Sequence, residues 1–409
     1  MLYKGDLDYL YKKISFILIM NANKEQKNQP TILFLSSCLP RKCGIATFTQ
    51  DLAEAIDNSQ FFKSKLVAIN DNGKKYDYSD DVIFQIEEND VQEYKETARK
   101  INAMDNVRVV SIQHEFKLYG SDHGENILSF IEEIKKPVIT TFHTVLPYPS
   151  EERKNIVQSI VEKSEYVVVM ASKAIDILKK YYGIQESKIV MIPHGIHDMP
   201  FENNKIAKEK LGFTDKMILL SFGFVCRHKG TEYVIDALPY VIKKFPNILY
   251  LIVGETHPLT KKEVGESYRK FLEKKVRKLG VQNNVLFHNK YVSLDDLKTY
   301  LNATDLYICY TNSEEQITSG TLVYAMGAGR VVIASPFSYA KEIITPDIGI
   351  ILGEFRNPKL ISDAIVNILS NPSLKESMEK NAYNYTRQMT WHNVAKSYLK
   401  IIDKCLNKS

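Results

Sequence analysis

Short runs of consecutive apolar residues recur along the chain, each bounded by polar or glycine-containing turns and most followed by a stretch with helical periodicity. Apolar runs without polar alternation read as strands buried on both faces, the pattern of a parallel sheet with helical crossovers. In the first half they fall at 31–37, 65–70, 107–113, 137–142, 166–170 and 189–192, with helical stretches at 91–102, 124–134, 153–162 and 173–182. A polar segment with Pro and Gly, 193–215, interrupts the alternation. It then resumes with strands at 217–224, 248–253, 285–288, 306–309, 331–334 and 349–352, and closes with helices over 372–407. The predicted architecture is α/β, with two doubly wound Rossmann-like domains facing a central cleft and ligands at the carboxyl ends of the strands.

That pattern divides the chain into an N-terminal extension (1–29), a first domain (30–200), a second domain (201–375) and terminal helices (376–409) that fold back on the first. At 409 residues and 44% hydrophobic content there is material for two ordinary globular domains. The net charge of +5 suits an anionic substrate or leaves room for peripheral contact with a membrane face, and does not call for nucleic acid. Cys38, Cys43, Cys226, Cys309 and Cys405 are scattered and form no Cys-x-x-Cys pair, so a reducing cytoplasm fits better than a disulfide framework or a zinc site. Lys12-Lys13 and the apolar run 14–20 have the outline of a signal peptide without a small-x-small cleavage site, and Met20 is an alternative start. No run approaches the about 18 apolar residues of a membrane span.

Chemistry concentrates at turns between strands and helices. Residues 310–335 place a hydroxyl and amide cluster at the start of an apolar helix that leads into a buried strand. Backbone N–H groups of Ser319, Gly320 and Thr321 there could receive an anion at the positive end of the helix dipole, or could belong to an ordinary capped helix. Arg227 and Lys229 lie in the turn after the strand at 217–224, and Gly44 lies in the turn after the first strand. His143 ends the strand at 137–142; His114 and Glu115 end the neighbouring one, with Tyr119 close behind, as candidates for an acceptor pocket. His194 and His197 read as linker residues, and the histidines show no metal-ligand spacing. The basic run 261–278 reads most simply as a solvated helix face, with membrane docking through it as the alternative.

With these elements in place the chain resembles glycosyltransferase family 4, the retaining nucleotide-sugar transferases of the two-lobed GT-B fold. The resemblance rests on Gly44, Thr-Phe-His at 141–143, Pro-His-Gly-Ile at 193–196, Lys229-Gly230, Leu-Ile-Val-Gly at 251–254 and the Ser-Gly-Thr-Leu-Val-Tyr-Ala-Met-Gly-Ala-Gly run at 319–329. More narrowly it is similar to a bacterial subgroup carrying Cys-Gly-Ile-Ala-Thr-Phe-Thr, Gln-His-Glu-Phe, Phe-His-Thr-Val-Leu and Gln-Ile-Thr-Ser-Gly-Thr-Leu. Where the family usually has a Glu-x7-Glu pair this chain has Gln316 and Tyr324, and Phe224 stands where an Arg usually precedes the Lys.

The resemblance implies a first domain for the acceptor and a second for a nucleotide-sugar donor. It implies hexose transfer to a carbohydrate or lipid-linked acceptor with retained configuration, with no cofactor and no metal. Lys229, Arg227, Gly44 and the Ser319–Thr321 amides would hold the diphosphate, His143 would reach the sugar, and the base would lie near Tyr291. Gln316 would act at the anomeric region, Glu314 would supply a carboxylate, and Tyr324 would meet the ribose. The altered pair leaves a second reading, a non-catalytic nucleotide-sugar-binding partner or sensor; an epimerase is a third with little to favour it.

Overall fold

The computed structural model of the chain describes residues 29–71 and 73–407. The Lys12-Lys13 segment, Met20 and all but the last residue of the expected N-terminal extension lie outside these.

Two parallel sheets form. The first contains β1 (Thr31–Ser36), β2 (Lys63–Asn70), β3 (Val82–Glu87), β4 (Val107–His114), β5 (Val138–Phe142), β6 (Tyr166–Val169) and β7 (Ile189–Met191), in spatial order β3-β2-β1-β4-β5-β6-β7. The second contains β8 (Met217–Phe222), β9 (Ile248–Val253), β10 (Val285–His288), β11 (Leu306–Cys309), β12 (Val331–Ala334) and β13 (Gly349–Ile351), in order β10-β9-β8-β11-β12-β13. Central strands such as β1 and β9 are buried at every position, which requires helices on both faces. The strand order reverses between β1 and β4 and again between β8 and β11, and at such switch points the flanking helices diverge and leave a crevice.

In the first half the crossovers and flanking helices are α1 (Gly44–Asp57), α2 (Val91–Asn102), α3 (Ile127–Glu133), α4 (Glu151–Lys163) and α5 (Ser172–Tyr182). The second half has α6 (Lys205–Leu211), α7 (Thr231–Ile242), α8 (Pro258–Val264), α9 (Ser267–Lys278), α10 (Leu294–Ala303), α11 (Gly320–Gly327), α12 (Ser338–Ile343) and α13 (Pro358–Leu369). The terminal helices are α14 (Pro372–Thr386) and α15 (Trp391–Leu406). The lobes are therefore Rossmann-like α/β layers, the fold class the sequence predicts.

Three details differ from expectation. β3 is not anticipated, because as an edge strand it buries only Ile86 fully and carries the polar side chains Gln85 and Glu87. The basic run 261–278 is two helices, broken at Gly265, whose φ of 60° belongs to the left-handed region. The polar segment 193–215 contains α6, held to the second lobe by Lys208 and Asn204, both 2.6 Å from the Asp305 carboxylate.

The halves are joined through the terminal helix α15 and through the start of α5. Trp391, Val394 and Tyr398 of α15 enter the first-lobe core around Phe48 and Leu52, and the Tyr398 hydroxyl meets Thr141 Oγ1 at 2.8 Å. Glu342 of α12 accepts from the N–H groups of Ser172 and Lys173 at 2.6 and 3.1 Å, a second-lobe carboxylate capping the positive end of first-lobe α5.

Candidate active site

In the second lobe the chain leaves β8, makes one 3-10 turn over Arg227–Lys229 and enters α7 through Gly230. Gly230 has φ 55°, and a Cβ there would lie 2.5 Å from the Tyr310 ring, so the turn requires glycine. The turn is tied to the loop after β11, because Asn312 N donates to His228 O at 2.7 Å. Lys229 thereby reaches a cavity at the switch point, together with Ser221, Phe224, Tyr307, Tyr310 and Thr321. Among the described residues, Lys229 is the only charged side chain lining that cavity, and no carboxylate opposes it.

Thr321 is in the first turn of α11. Ser319 caps this helix, its Oγ accepting from Leu322 N, and there is no acidic residue in the first turn. The remaining first-turn N–H groups have no intrahelical acceptor. A lysine ammonium and an uncompensated helix N-terminus thus meet at one cavity, and both favour an anion. His194 packs under this end of the helix: a Cβ on Gly320 would lie 2.7 Å from His194 Nε2.

From the first lobe, α1 begins at Gly44, where added side-chain atoms would meet open space. His143 follows β5 and is half-buried, its Nε2 3.0 Å from Gln113 Oε1. Gln113 Nε2 already donates to Ser111 Oγ, so its Oε1 is the acceptor and Nε2 of His143 carries the proton. Burial first, then His194 and His114, lower the His143 pKa to about 3, which keeps the ring neutral. Phe48 of α1 stands edge-on to His143, His194 and Trp391, at 4.8, 5.2 and 5.0 Å between ring centroids.

Three contacts bridge the lobes across the cleft. Lys42 Nζ lies 2.7 Å from Glu255 Oε1, Thr47 Oγ1 lies 3.2 Å from the Tyr291 hydroxyl, and the Tyr324 hydroxyl lies 3.3 Å from Asp51 Oδ2. Burial first, then Asp51, push the Tyr324 hydroxyl well above the usual phenol range, so it donates to the carboxylate. His197 Nε2 is also 3.3 Å from Asp51 Oδ2, too poorly aligned for a hydrogen bond, and its ring lies 5.5 Å from that of Tyr324.

Several expected site residues sit elsewhere. Arg227 lines no part of the cavity; its guanidinium lies over the rings of Tyr268 and Phe271 at 5.5 and 5.7 Å, because it is on the outer side of the turn that points Lys229 inward. Glu314 is exposed, with its carboxylate 3.5 Å from Lys341 Nζ. Gln316 is half-buried and folds its amide onto its own loop, Nε2 donating to Thr318 O at 2.9 Å. His114 and Tyr119, expected in an acceptor pocket, are fully buried. His114 stacks among Phe116, Tyr119 and Phe142, and the Tyr119 hydroxyl donates to the carbonyls of Leu35 and Gln113, pinning β1 to β4. Glu115 accepts from Thr144 Oγ1 at 2.6 Å and from Phe116 N at 2.9 Å, with burial raising its pKa.

His194, His197 and Asp51 are at the cleft although the sequence reading gave them no role there. The available signal was His194 directly before Gly195: a Cβ on Gly195 would overlap the Trp391 ring, which marks a close-packed junction and not a free linker.

The two facing switch points define a protein of GT-B architecture, and solved GT-B structures superpose on the chain. Sucrose-phosphate synthase from Thermosynechococcus elongatus does so with a TM-score of 0.76 at 17% identity, over 93% of this chain and 100% of that one. Anabaena HepE in complex with UDP and glucose gives 0.73 at 14% identity, over 92% and 100%. Residues 203–385, most of the second lobe, match the family model for Glycosyl transferases group 1. An uncharacterized glycosyltransferase of Methanocaldococcus jannaschii is 27% identical over 301 residues, 71% of this chain and 69% of its own length.

Proposed function

We propose that the protein is a retaining glycosyltransferase that moves a hexose from a nucleoside diphosphate sugar to a carbohydrate or lipid-linked acceptor. The observation that carries this reading is the convergence of Lys229 and the α11 N-terminus on one carboxylate-free cavity at the β8/β11 switch point. Negative charge that grows on a departing diphosphate is stabilised there by groups already oriented before the reaction. His143 is neutral and held by Gln113, so it can meet the sugar without bringing charge. Front-face transfer, in which a donor phosphate oxygen takes the acceptor proton, needs no protein nucleophile and so accommodates Gln316 in place of a carboxylate. The domain match and the fold support a nucleotide-sugar donor, and HepE, solved with UDP and glucose, makes UDP-glucose the first donor to try.

The test is release of nucleotide and formation of product from labelled UDP-, GDP- and ADP-sugars. Lys229→Ala should lower transfer by roughly 100- to 1000-fold, the scale of losing one preorganised donor, with the fold intact. Activity within a few-fold of wild type removes Lys229 from the site. Activity should also survive EDTA; a need for added divalent metal contradicts the reading. The folded-back Gln316 amide and the outward Glu314 favour the second reading, a binding protein without catalysis, which gains if donor binds but nothing is transferred to any acceptor or to water.

A further inference from the structure

The surplus charge of the chain is not spread over it. The whole molecule has 54 basic and 49 acidic residues, a net +5. Helix α9 alone holds Arg269, Lys270, Lys274, Lys275, Arg277 and Lys278 against Glu273, which is also a surplus of five, so everything else sums to zero. Arg269 is turned inward, donating to Gly254 O at 2.8 Å, and Lys275 is paired with Asp236 of α7 at 2.7 Å. Lys270, Lys274, Arg277 and Lys278 are exposed and, among the described residues, are in none of the ion pairs within 4.0 Å.

The neighbouring helix extends this face. α7 and α9 run in the same direction, since Glu232 accepts from the Tyr268 hydroxyl and Asp236 pairs with Lys275 one to two turns further on. Beyond Asp236, α7 presents Tyr240, 52% exposed, and is followed by exposed Lys243 and Lys244. Phe271 of α9 is 41% exposed. The face therefore combines unpaired lysines with large aromatic side chains that water does not favour.

We propose that this α7/α9 face docks on an anionic lipid surface. Such surfaces attract clustered lysines, while aromatic rings settle at the boundary of headgroups and chains. The geometry disfavours a nucleic acid as occupant. Arg227 and Lys275 stand over the Phe271 ring at 5.7 and 5.9 Å and leave no clear platform for a base. The same turn that sends Arg227 onto Phe271 sends Lys229 into the cavity, so docking would bring the rim of that cavity close to the lipid. The proposal is read by binding alone and stands or falls apart from the transfer reading.

The experiment is flotation of the full chain with vesicles of phosphatidylcholine alone and with phosphatidylglycerol as about a third of the lipid, at low and high salt. Binding should require the anionic lipid and fall with salt. Lys270→Gln, Lys274→Gln and Lys278→Gln together should weaken it on the order of 100-fold, about fivefold for each cation removed. Phe271→Ser should weaken binding without altering its salt dependence. All four positions are exposed, and matching thermal unfolding of the variants shows that the fold is kept. Absence of binding to anionic vesicles overturns the proposal, as does undiminished binding by the triple variant. Displacement of the protein from vesicles by equimolar single-stranded RNA, with tighter binding to that RNA, overturns it in favour of a nucleic-acid face.

Discussion

Replacing Gly320 by Ala tests a closely packed point of the cleft. The added methyl would stand 2.7 Å from His194 Nε2 and 3.1 Å from Cε1, where ordinary contact begins near 3.4 Å, so the imidazole must give way by roughly half an ångström or more. The ring has little room: its Nδ1 donates to Gly195 O at 2.8 Å, and Phe48, Tyr324 and Trp391 surround it at 5.2, 5.5 and 5.8 Å between centroids. Overpacking of this kind costs about 1–3 kcal/mol, and the helix preference for Ala over Gly returns at most about 1 kcal/mol. Net destabilisation of about 1–2 kcal/mol is expected. Trp391 is the only tryptophan and adjoins the perturbed ring, so its fluorescence in urea unfolding reports this junction directly. In a His194→Ala background the methyl has space and only the helix preference remains, so the double-mutant cycle should return the overpacking cost itself, about 1–3 kcal/mol. Gly320→Ala as stable as wild type, or equally harmful with and without His194, refutes the packing argument.

At the altered pair, Gln316→Ala should impair transfer severely, Gln316→Glu should retain part of it, and Glu314→Ala should be mild because that carboxylate already faces Lys341. Steady-state transfer rates check this, and a dead Glu314→Ala beside a silent Gln316→Ala reverses the assignment. Stability should fall in mild acid. Burial holds the His114 pKa near 3 and, against partial support from the Gly195 carbonyl, that of His194 near 4. Both values lie below the about 6.5 of an unfolded histidine, so unfolding takes up protons, and stability is full above that pH and declines as pH drops through it towards 4. Each ring contributes a slope of about 1.4 kcal/mol per pH unit in that window. Urea midpoints at neutral and mildly acidic pH should therefore draw closer in His114→Leu, which removes one such ring while His194 and His143 keep theirs; an unchanged slope rejects the assignment.

The fold was largely legible because strands such as β1, β9, β11 and β12 have no solvent face. β9, β10, β11 and β12 are bounded by polar turns sharp enough to place their ends to the residue. β3 escaped because an edge strand has little to bury and reads like a polar loop. The meeting of Lys229 with the start of α11 at one cavity was legible too, since it depends on local chemistry: a glycine turn behind Lys229 and a hydroxyl-capped helix at Ser319. Other assignments failed where the outcome depends on which side of a turn a side chain leaves. Arg227 and Lys229 are two residues apart and point to opposite sides of one turn, and His114 and Glu115 are adjacent, yet only the glutamate emerges from the core. Asp51 could not be read at all, because its partners, Tyr324 and His197, come from segments far away in the chain.

Asp51 also changes the meaning of Tyr324. The resemblance places a carboxylate at position 324, on the second lobe; here that position offers a hydroxyl, and the nearest negative charge arrives from α1 of the first lobe, 3.3 Å away. A carboxylate carried by α11 would meet a second-lobe ligand whether or not the lobes are together. Asp51 moves with the first lobe, so any contact it makes with such a ligand depends on the lobes being closed over it. Lys42–Glu255 and Thr47–Tyr291 bridge the same cleft from the same helix region and would part in the same motion. Restoring a glutamate at 324 alone would therefore not restore the family arrangement. It would set a second carboxylate against Asp51, raise the pKa of one of them and oppose the closure that brings Asp51 in.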